Sequence, residues 1–131
     1  MALQYSTALR NARADAKATA VGNAGKLQIF TGTIPANCAA ASTGTKLAEH
    51  TLGSPFAPAA SSGVLSPTLP SNVNALATNT AGYWRVVTSG DVCVIQGSVG
   101  TSGADMNLNT LSLVSGGPVQ INSWTFTEGG A

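Results

Sequence analysis

The sequence predicts a mainly β protein, a jelly-roll-like antiparallel β-sandwich with one N-terminal helix. Three observations lead to this fold class. About seven short segments rich in β-branched and aromatic residues are separated by Gly, Pro, Asn and Ser at roughly 8 to 12 residue intervals. A single Ala-rich segment has helical periodicity, and residues 82–128 form one long series of alternating segments. Strands of this length and spacing are typical of sandwiches, and a jelly roll fits better than a barrel.

Composition indicates one folded domain. The chain has 131 residues, which suits a single core that buries roughly two-thirds of the unfolded surface. Apolar residues make up 44% of the chain, charged residues only 8%, and the net charge is +1, so the composition is not that of a disordered chain. We divide the chain into an N-terminal helical segment at residues 1–24 and a β-sandwich domain at residues 25–131.

The helix is predicted at residues 6–21. Ser6 or Thr7 is placed to cap its N-terminus, and Gly22 is placed to end it. Because a stripe of small side chains gains little from burial, the helix either lies on the edge of its own domain, which we favour, or reaches a partner as an arm. The predicted buried stripe is Leu9, Ala12, Ala16, Ala20 and Val21, with Arg10, Arg13, Asp15 and Lys17 on the other sides.

The segments before residue 82 predict two regular strands. Residues 26–31 alternate, with Leu27 and Ile29 pointing inward, and residues 46–52 form a second strand. Prolines interrupt the segment that follows, so only a short or edge strand fits there. The other predictions are loops at 35–45 and 71–81 and a short strand at 63–65.

Residues 82–128 predict a meander of four strands without a helix. Turns at 89–91, 100–105 and 115–118 separate the strands. Alternate residues along each strand point to the same face of the sheet. The residues predicted to face inward are Trp84, Val86, Cys93, Ile95, Val99, Leu111, Leu113, Trp124 and Phe126. The alternate positions, on the opposite face, hold both apolar and polar residues. We therefore expect a second layer, the helix or another subunit to cover part of that face.

Charge and hydropathy argue against two classes of partner. Six basic residues cannot form the stripe that tracks a nucleic-acid backbone or the cluster that binds an anionic membrane. Apolar runs fall well short of the ~20 residues of a membrane helix, and the first residues do not have the pattern of a secretory signal. We therefore expect synthesis in the cytosol, with Cys38 and Cys93 reduced and Cys93 a small core residue.

The residues that could support catalysis do not form a recognisable constellation. His50 is the sole histidine, and no nucleophile motif accompanies it, so we expect it on the strand surface beside Glu49. Asp91 and Asp105 lie in predicted turns, where Asp is favoured for backbone geometry, and Glu128 stands apart. We predict that the protein is not an enzyme and has no catalytic residues.

The same kinds of residue suggest two possible binding functions. Asp105 with Asn107 and Asn109 could form a weak calcium site, although the segment lacks the ligand run of an EF-hand. The rings of Tyr83, Trp84 and Trp124 could form a sugar-binding platform, but large aromatic residues at strand spacing are more often core. We predict no metal and no cofactor, and keep lectin activity as a minor alternative.

Three stretches of the sequence resemble small virion proteins of tailed phages and prophages. They are residues 5–13, beginning Tyr-Ser-Thr-Ala-Leu-Arg, residues 27–35, Leu-Gln-Ile-Phe-Thr-Gly-Thr-Ile-Pro, and residues 97–108, Gly-Ser-Val-Gly-Thr-Ser-Gly-Ala-Asp-Met-Asn-Leu. The similarity is to the capsid cement, or decoration, proteins of short-tailed phages such as those that infect Bordetella, and it spans nearly the whole chain.

This resemblance implies a function and a set of partners. It implies a jelly-roll-like homodimer that binds the major capsid protein on the outside of the head and stabilises it, without contact to nucleic acid or membrane and without any inherited catalytic residue. The expected location is the capsid exterior of the virion. The alternatives are a tail or fibre-associated structural protein and a carbohydrate-binding β-sandwich module.

Overall fold

The computed structural model describes residues 3–53 and 56–128 of the chain. Within these ranges it has one helix and twelve strands, most of them short. The helix α1 spans Thr7–Val21, and the strands are β1 (Lys26–Phe30), β2 (Lys46–Thr51), β3 (Val64–Leu65), β4 (Val73–Asn74), β5 (Asn79–Thr80), β6 (Tyr83–Val87), β7 (Cys93–Gly100), β8 (Met106–Leu108), β9 (Ser112–Leu113), β10 (Pro118–Val119), β11 (Ile121–Trp124) and β12 (Phe126–Thr127).

The main structural unit is a six-stranded sheet with the strand order β11-β8-β7-β6-β1-β2. Three two-stranded ribbons, β10-β4, β12-β3 and β5-β9, contribute side chains to the same core and complete the sandwich. The predicted class, a mainly β, antiparallel-rich sandwich with one helix near the N-terminus, is therefore confirmed.

The predicted meander is wrong after its first hairpin. The turn at 89–91 does join β6 and β7 as antiparallel neighbours, with Asp91 in the left-handed region at φ 66°. However, β7 and β8 pair in parallel, and β9, β10 and β12 leave the sheet to pair with strands from residues 64–80. The 71–81 segment, predicted as a loop, supplies two of those partners, β4 and β5.

The core lies on one face of the sheet, where aromatic rings meet edge to face. The ring centroids of Trp84 and Trp124 are 5.4 Å apart at 80°, and Phe126 lies 5.4 Å from Trp124. Leu27, Ile29 and Val86 are fully buried beside them, as their parity predicted. The core also buries four residues that were predicted to lie on the opposite, more polar face, because their strands do not continue one meander. These residues are Met106, Leu108, Val119 and Ile121.

The ends of α1 are confirmed. The Ser6 hydroxyl accepts a hydrogen bond from the Leu9 amide at 3.2 Å, and the Gly22 amide donates to the Ala18 carbonyl. The predicted buried stripe is wrong. Leu9 is 46% exposed and Ala12, Ala16 and Ala20 are exposed, whereas the fully buried helix residues are Ala14 and, as predicted, Val21.

The helix docks through polar contacts instead. The Arg10 guanidinium donates to the Glu128 carbonyl oxygen, and the Asp15 carboxylate accepts from the Ala60 amide at 2.7 Å. Asn11 accepts from the amide of Gly63, which has φ +74° and lies so close to Arg10 that a Cβ would clash with the guanidinium. Directional bonds to otherwise unpaired backbone groups outweigh the small gain from burying alanine methyl groups.

The described part of the chain includes no helix that is long and apolar enough to cross a membrane.

Candidate binding pocket on the outer face of the sheet

The face of the sheet opposite the core is called the outer face here, and it is defined by Gln28 and Phe30 of β1 and by Tyr83, Arg85 and Val87 of β6. Strand pairing sets Gln28 opposite Arg85 and Phe30 opposite Tyr83, and the Phe30 and Tyr83 rings stack at 5.2 Å. Every residue of β6 is buried, so both of its faces are covered.

A loop covers the outer face, and we call residues 33–45 the lid. Predicted as a loop within 35–45, this segment has neither helix nor strand. The Tyr83 hydroxyl donates to the Thr43 carbonyl at 2.7 Å and accepts from the Thr43 amide at 2.8 Å. The Gln96 side-chain amide donates to the Pro35 carbonyl. We expected a second layer, the helix or another subunit to cover this side of the sheet, and the cover is instead a loop of the same chain.

A disulfide between Cys38 of the lid and Cys93 of β7 closes this cover. The expectation of two reduced cysteines, with Cys93 in the core, is therefore wrong. The register between β6 and β7 shifts at Val86/Val87, which pairs Cys93 with Val87 on the outer face. The two cysteines are 55 residues apart in sequence, and only the path of the lid brings their Cα atoms to 5.3 Å.

Arg85 is the buried charge beneath the lid. It is 5% exposed, and all its hydrogen-bond acceptors are neutral: Nε donates to Gln96 Oε1 at 3.0 Å, and Nη2 donates to the carbonyls of Asn37 and Ala40. Among the described residues no carboxylate lies within ion-pair distance of Arg85, and Nη1 has no hydrogen-bond partner. A cation this buried normally has an anionic partner, since its desolvation is costly.

The lid and the outer face border an open pocket of about 770 Å³, called the lid pocket below. Its lining includes the polar side chains of Arg85 and Gln28 and the apolar side chains of Phe30 and Val87. Three alanines of the lid also line it, called the lid alanines below: Ala39, Ala40 and Ala41. The disulfide forms part of the wall, and Lys46 and Asp91 stand at the margin. A concave site with mixed apolar walls and a few convergent polar groups is the usual form of a small-ligand site.

A cluster of ion pairs stands beside the lid pocket. Lys26 Nζ lies 3.1 Å from Asp91 Oδ1 and 3.6 Å from Glu49 Oε1, and Lys46 Nζ lies 2.7 Å from Glu49 Oε2. The hydrogen bond from Lys46 holds the pKa of Glu49 below its usual value, and the hydrogen bond to Asp91 raises the pKa of Lys26. Glu49 and Asp91 are therefore both paired with lysines already.

His50 was expected on the surface, and this expectation is wrong. The side chain is 1% exposed, because its position on β2 pairs it with Leu27 on the core face. Neither ring nitrogen has a hydrogen-bond partner among the described residues. Burial lowers the pKa of His50, with a smaller opposing effect from the Val119 backbone. A neutral, enclosed imidazole of this kind cannot reach a substrate.

Asp105 and Glu128, the other two carboxylates considered for catalysis, lie away from the lid. Asp105 Oδ2 accepts from the amide and hydroxyl of Ser98, which lies seven residues earlier on β7. Glu128 pairs with Lys17 and Arg13, and the hydrogen bond from Lys17 lowers the pKa of Glu128. They border a smaller cavity of about 390 Å³.

The described residues contain no group of three His, Cys, Asp or Glu that could hold a metal ion. Of the residues considered for calcium, Asn107 accepts from the Ala104 amide and donates to the Ser123 hydroxyl. Tyr83, Trp84 and Trp124, considered as a sugar platform, are at most 2% exposed and cannot stack against a glycan from solvent.

Sequence reasoning missed the two features that define the lid pocket, Arg85 and the disulfide. Arg85 did carry a signal, because a charged residue at the centre of the apolar run Tyr-Trp-Arg-Val-Val must be either exposed or partnered. The disulfide had no local signal. Comparison with known proteins finds no matching family model, no matching curated protein and no matching solved structure.

Proposed function

We propose that this protein is a structural component of a tailed-phage virion, a decoration protein that binds the outside of the major capsid lattice and stabilises the head. The observation that carries the proposal, beside the sequence resemblance, is the apolar side of α1, which faces away from the protein body. Leu9 is 46% exposed on this side, and Leu3, before the helix, is 74% exposed. Such a side is suited to lie against another protein.

The anchoring of α1 supports this role. Arg10, Asn11 and Asp15 fix the opposite side of the helix to the sandwich through hydrogen bonds, so the apolar side is held in one orientation before any partner binds. A surface that is already ordered loses less entropy on binding than a flexible arm would. A protein that binds only the assembled lattice stabilises it by mass action, and many copies multiply a small contact.

The test is a double substitution on the exposed side of the helix, Leu9→Glu with Ala16→Glu. We expect this variant to fold like the wild type, because both positions are exposed, but to be lost from purified heads and to leave them as heat-sensitive as heads without the protein. The matched control is Thr101→Glu with Ser102→Glu, which adds the same charge to an exposed loop. It should be retained at wild-type copy number.

Heads that are equally heat-stable with and without the protein would contradict the stabilising role. Retention of the Leu9→Glu, Ala16→Glu variant at full copy number would contradict the role of the helix. Copy number also separates the proposal from a tail or fibre-associated protein, which would be present at far fewer copies than a head protein. The carbohydrate-binding alternative is weakened by the burial of the three candidate rings.

Self-association as a homodimer and the lack of enzymatic activity remain predictions. Apolar residues on the second face of the sheet are one reason to expect a dimer. Because the lid covers that face, the only remaining support for a dimer is the resemblance to decoration proteins. Sedimentation velocity at micromolar concentration should show a dimer, and a monomer at every concentration would exclude intrinsic association.

A further inference from the structure

The lid pocket contains a positive charge that the protein itself does not neutralise. Three cations, Lys26, Lys46 and Arg85, stand in or beside the pocket with two carboxylates, Glu49 and Asp91. Both carboxylates pair with the lysines. The charge left over is that of Arg85, whose guanidinium is bonded only to neutral oxygens.

The geometry of Arg85 leaves one edge of the guanidinium available. Nε and Nη2 are occupied by Gln96 and by the lid carbonyls, which fix the orientation of the plane. Nη1 has no hydrogen-bond partner in the described ranges 3–53 and 56–128, yet it is not among the enclosed polar atoms without a partner. Because Arg85 lines the pocket, this nitrogen is the donor that a ligand can reach.

We propose that the lid pocket binds a monocarboxylate ligand, with the carboxylate on Nη1 of Arg85 and an apolar body against Phe30, Val87 and the lid alanines. A single surplus positive charge matches a monoanion better than a phosphate dianion, which would need more donors. The apolar walls favour a ligand with a short hydrocarbon body. The carboxylate could belong to a small organic acid or to a peptide C-terminus, and both present the same chemistry to Arg85.

The experiment uses the full chain, labelled with ¹⁵N and with its disulfide intact, titrated with hexanoate and, as a neutral match, with hexanamide. Hexanoate should shift the amide resonances of residues 39–42, Arg85 and residues 91–93 saturably, with a dissociation constant of about 1 to 10 mM, as expected for one charge-assisted contact and a small apolar body. Hexanamide should bind at least about tenfold more weakly.

Two variants test the role of Arg85. Arg85→Gln removes the charge and should abolish the shifts. Since that variant also loses lid contacts and could misfold, Ala41→Asp provides a second test: it places a carboxylate at an exposed pocket position without altering Arg85, and should weaken hexanoate binding at least about tenfold. Arg13→Gln, which removes an equal charge from α1, should bind hexanoate like the wild type.

A second pair of probes separates the two sources of the carboxylate. The probes are acetyl-Gly-Leu with a free C-terminus and, as its control, the corresponding amide. The free acid should bind more tightly than hexanoate if the natural ligand is a chain terminus, and no more tightly than hexanoate if it is a small acid. Equal responses to hexanoate and hexanamide, no saturable shift at all, or hexanoate binding unchanged in Ala41→Asp would each overturn the proposal.

Discussion

The two faces of the central sheet are closed by different chemistry. On the core face, apolar side chains from the ribbons and α1 bury Leu27, Ile29, Trp84 and Val86, and the contacts among these side chains are non-directional. On the outer face, the lid is held by hydrogen bonds from Tyr83, Arg85 and Gln96 and by one disulfide. The same strands, β1 and β6, carry both faces.

The difference shows why the pocket lies where it does. A core packed by apolar side chains tolerates few voids, because each void loses dispersion contacts. A loop held by a few directional bonds and a covalent link can stand off from the strands and leave space between the anchors. The outer face therefore combines the buried charge of Arg85 with a pocket of about 770 Å³.

The largest expected effect comes from breaking the core face. Trp84→Ala should lower the free energy of unfolding by up to about 5 kcal/mol, because it removes a fully buried ring of the aromatic cluster and leaves a cavity. Denaturant unfolding should show a lower midpoint with an unchanged slope. Val92→Ala, at a position 63% exposed, is the control and should change stability by less than about 0.5 kcal/mol. A loss for Trp84→Ala no larger than that would contradict the packing described here.

The next largest effect comes from removing the covalent link of the outer face. Replacing both Cys38 and Cys93 with Ser should cost up to about 4 kcal/mol, the loop-closure entropy of a 55-residue separation. Chemical unfolding of this variant, compared with oxidised wild type, measures the loss. The single substitution Cys38→Ser should cost as much as the double one, since either removes the link. A double variant as stable as oxidised wild type would show that the lid does not need the disulfide.

A smaller effect should follow from removing one polar anchor of the lid. Tyr83→Phe keeps the ring stacked on Phe30 but deletes the hydroxyl that bonds both the amide and the carbonyl of Thr43. We expect a loss of about 1 to 2 kcal/mol in thermal or chemical unfolding. Tyr5→Phe deletes a hydroxyl from an exposed ring and should have no measurable effect. Equal stabilities of the two variants would show that Thr43 is not an anchor.

The parts of the fold that the sequence predicted correctly are those set by local chemistry. Ser6 and Gly22 mark the ends of α1 because capping depends on a side chain and a backbone conformation at those two positions. Leu27 and Ile29 face the core because alternation along a strand is geometric. The buried side of α1 was mispredicted, since alanine stripes contribute little free energy and the distant backbone groups that bond Asn11 and Asp15 are not visible in the sequence.

The candidate site could be predicted only in part. The 35–45 loop and the need for a cover on the second parity were both readable from composition and alternation. The sequence did not show that this loop is the cover. The pairing of Cys38 with Cys93 and of Tyr83 with Thr43 depends on the path of the chain over 40 or more residues. The surface position predicted for His50 was wrong for a related reason. Only the pairing of His50 with Leu27 determines which face of the sheet its side chain is on.

The smallest expected effect concerns pH and the core face. Burial lowers the folded-state pKa of His50, so the unfolded chain binds a proton first as the pH falls through about 6.5. The free energy of unfolding should therefore be unaffected by His50 above that pH and fall as the pH drops below about 6.5, by at most about 1.4 kcal/mol per pH unit. Unfolding curves of His50→Leu should lose this slope while keeping the wild-type fold. An unchanged slope would mean that another group titrates.

The most direct test of the two-face account is amide hydrogen exchange of the native protein before and after reduction of the disulfide. Reduction should speed exchange in the lid, notably at Thr43, whose amide donates to the Tyr83 hydroxyl, while the amides of β1 that bond to β2 and β6 should keep their protection. Loss of protection in the lid and in β1 together, at one rate, would contradict it, because the two faces would then open as a single unit.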